Sequence, residues 1–156
     1  MPTYVGTDNL CWHYGKGQNV TMADESLFSL QIISPDRIFY EGEASFVEMV
    51  TTEGEIGVYK NHIPMTNILA PGIIRIHEQD NVKKAAIHAG FVEILSDKII
   101  VMAEIAEWPD EIDENRANQA RIRAERRIQG DGSEVNIARA EAALRRSLTR
   151  LGLKGK

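Results

Sequence analysis

Residues 109–156, PDEIDENRANQARIRAERRIQGDGSEVNIARAEAALRRSLTRLGLKGK, decide the fold. Pro109 sits where a helix tolerates proline, in its first turn, and Asp110, Glu111 and Asp113 supply acids that suit the positive helix end. Ala117, Ala120, Ala124 and Ile128 then recur at spacings of three and four, which places them on one helix face. Gly130-Asp131-Gly132 ends that helix, and Ser133 is the expected N-cap of a second. In the second helix Ile137, Ala140, Leu144, Leu148 and Leu151 form the apolar stripe. Alanines facing leucines predict a close antiparallel helix hairpin.

Upstream of the hairpin the chain reads as short strands. Phe28, Leu30 and Ile32 alternate with Ser29 and Gln31, and Ser34-Pro35-Asp36 makes a turn. Strands are expected over 38–44, 46–52, 56–59, 73–76, 82–88, 91–95 and 98–105, with 61–64 read as a loop and Pro71-Gly72 as a turn. So many short strands followed by helices argue for an antiparallel sandwich or flattened barrel with an appended hairpin. Residues 1–21 mix Gly, Asn, Thr and Tyr without a period and read as a leader or upstream extension. Met22-Ala23-Asp24-Glu25 reads as a start. The expected organisation is therefore 1–21 leader, 22–107 sandwich and 108–156 helical hairpin.

Composition narrows the function. Hydrophobic residues make up 43% and charged residues 26% of the 156, ordinary values for a globular chain. No apolar run approaches the ~18–20 residues that cross a bilayer, so any membrane role comes through a partner. One cysteine, Cys11, excludes an internal disulfide framework and a cysteine-based zinc site. The net charge of −5 is uneven: residues 22–109 carry 6 basic and 14 acidic side chains (6 − 14 = −8), and residues 110–156 carry 11 and 8 (11 − 8 = +3). An acidic body with a basic tail suits a tail that docks on something acidic; the plainer alternative is a solvated helix with i,i+4 pairs. The tail lacks interleaved aromatics, which argues against nucleic acid.

Catalytic signals are weak. His13, His62, His77 and His88 form no metal-ligand spacing, and no phosphate-binding glycine loop or nucleophile elbow is present. The expectation is no catalytic residue, no metal and no required cofactor. Two motifs stand out. The first is Glu53-Gly54-Glu55-Ile56-Gly57-Val58-Tyr59-Lys60-Asn61-His62-Ile63-Pro64, whose glycines read locally as a tight β-corner at positive φ, with His62 bonded to the loop backbone. The second is Ile112-Asp113-Glu114-Asn115-Arg116-Ala117.

The first motif resembles the Glu-Gly-x-x-Gly-Val-x-x-x-His-x-Pro signature of the epsilon subunit of rotary ATP synthases. The second is similar to the Ile/Leu-Asp-x-x-Arg-Ala run that opens the epsilon C-terminal hairpin. Pro71-Gly72-Ile73-Ile74-Arg75, Gly90-Phe91-Val92-Glu93-Ile94 and Ala138-Arg139-Ala140-Glu141-Ala142-Ala143-Leu144 resemble further stretches of that family. The resemblance spans about residues 26–153.

The resemblance implies an N-terminal antiparallel β-sandwich of about ten strands with a C-terminal antiparallel two-helix hairpin. It implies a non-catalytic central-stalk subunit of a proton-transporting ATP synthase, bound to the gamma subunit and resting on the c-ring. Glu55 and His62 match family positions on the c-ring-facing surface. The mobile hairpin is implied to inhibit ATP hydrolysis when it extends toward the catalytic beta subunits. ATP is the implied regulatory ligand, at positions that map onto Glu107, Ile112, Asp113, Arg116, Ala117, Arg123, Arg146 and Arg150. Arg116 and Arg123 lie two turns apart on one face, and folding the hairpin about Gly130–Gly132 sets Asp113 level with Arg150 and Arg116 near Arg146. Converging guanidiniums repel unless an anion lies between them; the alternative is that they splay into solvent in weak exposed pairs such as Asp113–Arg150. The implied location is the cytoplasmic face of a bacterial inner (plasma) membrane, through partners. Two other readings remain: a free-standing nucleotide-sensing module using the same arginines, and a small hydrolase using His62 or His88 with a carboxylate. Trp108 is expected to pack on the sandwich rather than limit hairpin motion.

Overall fold

The structure, a computed structural model, describes residues 26–130 and 136–155. The expected leader over 1–21, with Cys11, Trp12 and His13, lies outside the described residues. Eight strands and two helices follow in order: β1 (Phe28–Ile33), β2 (Ile38–Ala44), β3 (Phe46–Thr51), β4 (Gly54–Tyr59), β5 (Met65–Leu69), β6 (Gly72–His77), β7 (Val82–Ile94), β8 (Lys98–Glu107), α1 (Glu114–Ile128) and α2 (Ile137–Lys154). The strands run β2-β1-β8-β7-β5-β3-β4, and β6 bridges β3 and β7. The sandwich-plus-hairpin class is as expected, with eight strands among the described residues in place of about ten.

Three differences from the sequence reading have local causes. The ladder is not wholly antiparallel, because β1 and β8, from opposite ends of the body, pair in parallel; no tight turn has to join them. Residues 82–88 and 91–94 are one strand, β7, interrupted only by positive φ at Ala89 (58°) and Gly90 (133°). A Cβ on Gly90 would lie 2.1 Å from the Met102 carbonyl oxygen, so only glycine fits there. Across this point β7 changes neighbour, pairing with β6 through Val82–Ile87 and with β5 through Gly90–Ile94. The unexpected strand β5 carries polar Thr66 and Asn67 and exposed Met65 and Ile68, which hides its period.

Alternation of side chains builds the core. Leu30, Ile32, Val47, Val58, Ile74, Ile76, Val92, Ile94, Ile99 and Val101 are buried together between the layers. Gly54 takes positive φ (141°) as expected, but Gly57 does not. Gly57 is small because a Cβ there would lie 2.7 Å from the Phe46 ring, which stacks on Tyr59 at 4.2 Å.

The hairpin also departs from its sequence reading at both starts. α1 begins at Glu114, with Asp113 as N-cap accepting from the Arg116 amide at 3.0 Å, so Pro109, Asp110 and Glu111 precede the helix. Glu111 is held there by other partners described below. α2 begins at Ile137, capped by Asn136, whose side chain accepts from the Arg139 amide at 3.0 Å. Ser133, the expected cap, lies outside the described residues. Gly130 supplies the positive φ (90°) that ends α1. Ala117, Ala124 and Ala140 are buried as expected, but Ile137 and Leu148 are exposed, and Ser147 and Leu153 are buried in their place. The stripe shifts because α2 must face both α1 and the sandwich.

Four successive residues of β7, Ala85, Ala86, Ile87 and His88, are all buried. A strand with one covered face would alternate. Ala85 and Ile87 enter the main core, whereas Ala86 joins Ile73, Ile112 and Leu153 in a second small cluster. α2 therefore lies on the outer face of β7, and the hairpin is docked on the sandwich.

Candidate functional site

The segment between β8 and α1 is anchored to the body. Trp108 stacks on Phe39 with ring centroids 4.4 Å apart and packs against the main core, as expected of it. Glu111 accepts from the Trp108 amide at 2.8 Å and pairs with Arg37, whose guanidinium lies 5.3 Å from the Phe39 ring centroid. These bonds, the Trp108 amide first and Arg37 second, hold the Glu111 carboxyl below its usual pKa. Trp108 and Glu111 are held to the body, so any pivot of the hairpin falls beyond them, at Ile112–Asp113, and requires Ile112 to leave its contact with Ala86 and Leu153.

Two residues of α2 clasp the hairpin down, Arg150 onto the sandwich and Lys154 onto the segment before α1. Arg150 of α2 donates from Nε to Glu107 Oε2 at 2.6 Å. His88 Nε2 lies 3.0 Å from the same oxygen. Lys154 Nζ donates to the carbonyls of Pro109 at 3.0 Å and Ile112 at 3.2 Å, beside buried Leu153. Burial, then the Arg150 charge, hold His88 below the ordinary imidazole pKa, with Glu107 pulling the other way.

A cavity of about 440 Å³ opens beside this clasp, within the ~300–1,000 Å³ of small-molecule pockets. Its walls come from the end of β8 (Ile105, Glu107), the anchored segment (Glu111, Asp113), α1 (Arg116, Ala117, Ala120, Arg123) and α2 (Arg150). Six of the eight positions mapped to ATP line it: Glu107, Asp113, Arg116, Ala117, Arg123 and Arg150. Ile112 instead faces the small cluster with Ala86 and Leu153. Arg146 lies off this lining, close enough to His88 to act on its charge. The pair between Asp113 and Arg150 weighed from the sequence does not form. Asp113 is occupied as a helix cap and Arg150 by Glu107. Glu107 and Glu111 are likewise paired, whereas Arg116 and Arg123 make no ion pair among the described residues. Two uncommitted guanidiniums thus face the cavity, an arrangement that receives an anion.

Glu55 and His62 lie elsewhere. Glu55 is exposed on β4, and the His62 ring sits 2.9 Å (Nδ1) from the Ile63 carbonyl oxygen, the backbone bond expected of it. No hydrogen bond joins the two among the described residues.

Sequence reasoning missed His88 beneath the clasp, Glu111 in the anchored segment and Lys154 in the clasp itself. The run Ala85-Ala86-Ile87-His88, too uniformly small and apolar for a half-exposed strand, was the available signal for His88. Lys154 carried none, since it acts on groups distant in sequence, and Glu111 read as a first-turn acid of α1 rather than as a partner of Trp108 and Arg37.

Comparison with known proteins agrees with this architecture. Residues 27–109 match the family described as ATP synthase, Delta/Epsilon chain, beta-sandwich domain, and residues 110–155 match its long alpha-helix domain. The chain is 39% identical over 133 residues to the ATP synthase epsilon chain of Caldanaerobacter subterraneus subsp. tengcongensis, covering 85% of this chain and 96% of that one. It is 41% identical over 122 residues to the ATP synthase epsilon chain of Shouchella clausii, covering 78% and 90%. In fold it is similar to a chain of the Euglena gracilis mitochondrial ATP synthase OSCP/F1/c-ring assembly, with a TM-score of 0.71 at 22% identity over 92% of this chain and 88% of that one. With both parts of the chain matched and relatives aligned over nearly their whole length, the chain belongs to the ATP synthase delta/epsilon family, as an epsilon subunit of the bacterial F-type.

Proposed function

We propose that the chain is a non-catalytic central-stalk subunit of a proton-transporting ATP synthase, with a hairpin that restrains ATP hydrolysis when it leaves the sandwich. The sandwich binds the gamma subunit and rests on the c-ring, with Glu55 and His62 on the ring-facing side, and it conveys torque between them. Undocked, the hairpin extends along gamma toward the catalytic beta subunits. The fold neighbour from a mitochondrial assembly that includes F1 and the c-ring supports this placement. So does an apolar surface: Ile68 (64% exposed) and Phe91 (43% exposed) are register partners on β5 and β7. A patch of that kind suits a protein partner. No helix among the described residues is long and apolar enough to cross a membrane, and membrane attachment runs through the c-ring, at the cytoplasmic face of a bacterial inner membrane.

ATP is the proposed ligand of the cavity, and the observation that carries this reading is that one cavity has walls from the sandwich, the pivot and both helices. A ligand there is lost when the hairpin undocks, so binding and docking are linked. At 100 times its dissociation constant, ATP stabilises the docked pose by about 2.7 kcal/mol. Arg116 and Arg123 take the phosphates, and Arg116→Ala weakens ATP binding at least tenfold. An unchanged titration refutes the assignment. Family membership favours this role over a free-standing nucleotide sensor. A hydrolase on His62 or His88 has less support, because His62 is bonded to its own loop and His88 is enclosed by the clasp.

The test is ATP hydrolysis by a catalytic head complex stripped of epsilon, titrated with this chain. A saturable fall near one copy per complex is expected. Co-elution without a fall leaves a coupling subunit that does not inhibit, and neither co-elution nor a fall overturns the placement.

A further inference from the structure

His88 is 1% exposed, on the outer face of β7 under α2. Its Nε2 lies 3.0 Å from Glu107 Oε2, the oxygen that also accepts from Arg150 Nε at 2.6 Å. Its Nδ1 is buried and has no hydrogen-bond partner among the described residues. This geometry suits a neutral ring that donates from Nε2 and leaves a lone pair idle on Nδ1. A second ring proton, on Nδ1, finds no acceptor. It also sets a new cation against Arg150 and Arg146, while the one adjacent carboxylate, Glu107, is already neutralised by Arg150.

The groups around the ring come from several elements. Glu107 faces it from β8, and Arg146 and Arg150 from α2. Beyond Glu107 lie Glu111 and Asp113 of the anchored segment and Arg116 and Arg123 of α1. The flanking turn, Leu69-Ala70-Pro71-Gly72, has no titratable side chain. Elsewhere along the seam, Glu48, Glu55 and Arg75 lie with Thr149 of α2 around a smaller cavity, and Glu48 also bonds His77. Undocking removes both arginines with α2 and exposes the outer face of β7, while Glu107 remains beside the ring.

We propose that His88 is a proton-sensitive latch: the neutral ring keeps α2 on β7 and β8, and the protonated ring releases the hairpin. The latch rests on the docked and undocked poses both being working states, as the proposed function holds. The docked state binds the proton less readily, because burial and Arg150 oppose it. Docking is therefore strongest above the imidazole pKa of the undocked state, ordinarily about 6.5. As pH falls below that value, the undocked-to-docked ratio rises by up to about tenfold per unit, until the docked ring is protonated as well. Acidification would then favour the pose proposed to restrain hydrolysis.

The test uses the full chain with Cys11→Ser, spin labels at Asp80→Cys and Arg127→Cys, and no ATP. Label distances are read from pH 8 to pH 5.5. The docked distance is expected at pH 8, with an undocked population growing toward pH 5.5. His88→Gln, which keeps an N–H donor but takes no proton, flattens this response, and His77→Gln preserves it. In the unlabelled chain, ring NMR should show His88 titrating below the ordinary imidazole range. A hairpin docked at every pH, an unchanged slope in His88→Gln, or an ordinary or raised His88 pKa in the docked chain overturns the latch alone. A hairpin already undocked at pH 8 overturns the latch together with the docked pose on which the proposed function stands.

Discussion

Replacing Trp108 with alanine tests how the pivot is fixed. The indole stacks on Phe39 at 4.4 Å, is half-buried against the main core, and neighbours the Glu111–Arg37 pair. Truncating a fully buried aromatic costs about 3–5 kcal/mol. Half-burial cuts this to about 2, and the lost stacking geometry adds about 0.5–1. Trp108→Ala should therefore lower the unfolding free energy by about 2–3 kcal/mol. With a urea slope of about 1.5 kcal/mol/M, typical of a small protein, the midpoint falls by about 1–2 M. The assay is urea unfolding followed by far-UV circular dichroism, since the substitution removes a fluorophore. Trp108→Phe, which keeps a ring against Phe39, should recover much of the loss. A midpoint shift below about 0.3 M for the alanine variant would refute the anchoring of this segment, and with it the pivot at Ile112–Asp113.

Other outcomes follow from the same geometry. Leu153→Ala empties the small cluster with Ala86, Ile73 and Ile112; a loss of about 2–3 kcal/mol lowers the docked-to-undocked ratio about 30- to 150-fold, and an unaltered label distance together with an unaltered urea midpoint argues against it. Gly57→Ala puts a methyl 2.7 Å from the Phe46 ring and should cost about 1–3 kcal/mol, read as a melting temperature several degrees lower. Glu48 is held below its usual pKa chiefly by Arg75, Glu78 by Lys83 and then Tyr40, and Glu111 by the Trp108 amide and Arg37. Such carboxylates contribute stability above their unfolded pKa of about 4.3, and it is lost as pH falls through the lower folded values. Urea midpoints should therefore drop between pH 5 and pH 3, and less so in the Glu48→Gln, Glu78→Gln double variant; an equal drop in both would contradict the assignment.

The sandwich and the hairpin were legible because both rest on local periodicity. Alternation in Phe28–Ile33 and the alanine spacing of α1 describe the faces that the structure buries. What stayed hidden depends on contacts across the chain. The parallel β1–β8 pair joins residues about seventy apart, and no local pattern encodes it. The late start of α1 arises because Trp108 and Glu111 are held by Phe39 and Arg37, which overrides a helix-like acidic run. Ile137 and Leu148 look like core on a helical wheel, yet Ser147 takes the buried place where α2 faces two partners at once. At the candidate site, the motif resemblance singled out positions of which six share one cavity. It could not distinguish Arg150, tied to Glu107, from Arg116 and Arg123, left to face the cavity.

As proposed, an anion in this cavity holds the hairpin on the sandwich. The direct measurement is the label distance between sandwich and α1 in the full chain, at pH 8, as ATP is titrated in. In Leu153→Ala, where the undocked pose is populated, ATP should restore the docked distance saturably, by about 100-fold in the ratio at 100 times the dissociation constant; adding Arg116→Ala should abolish that effect at the same concentrations. Saturable ATP binding that leaves the distances unchanged, or no binding at all, would contradict the account.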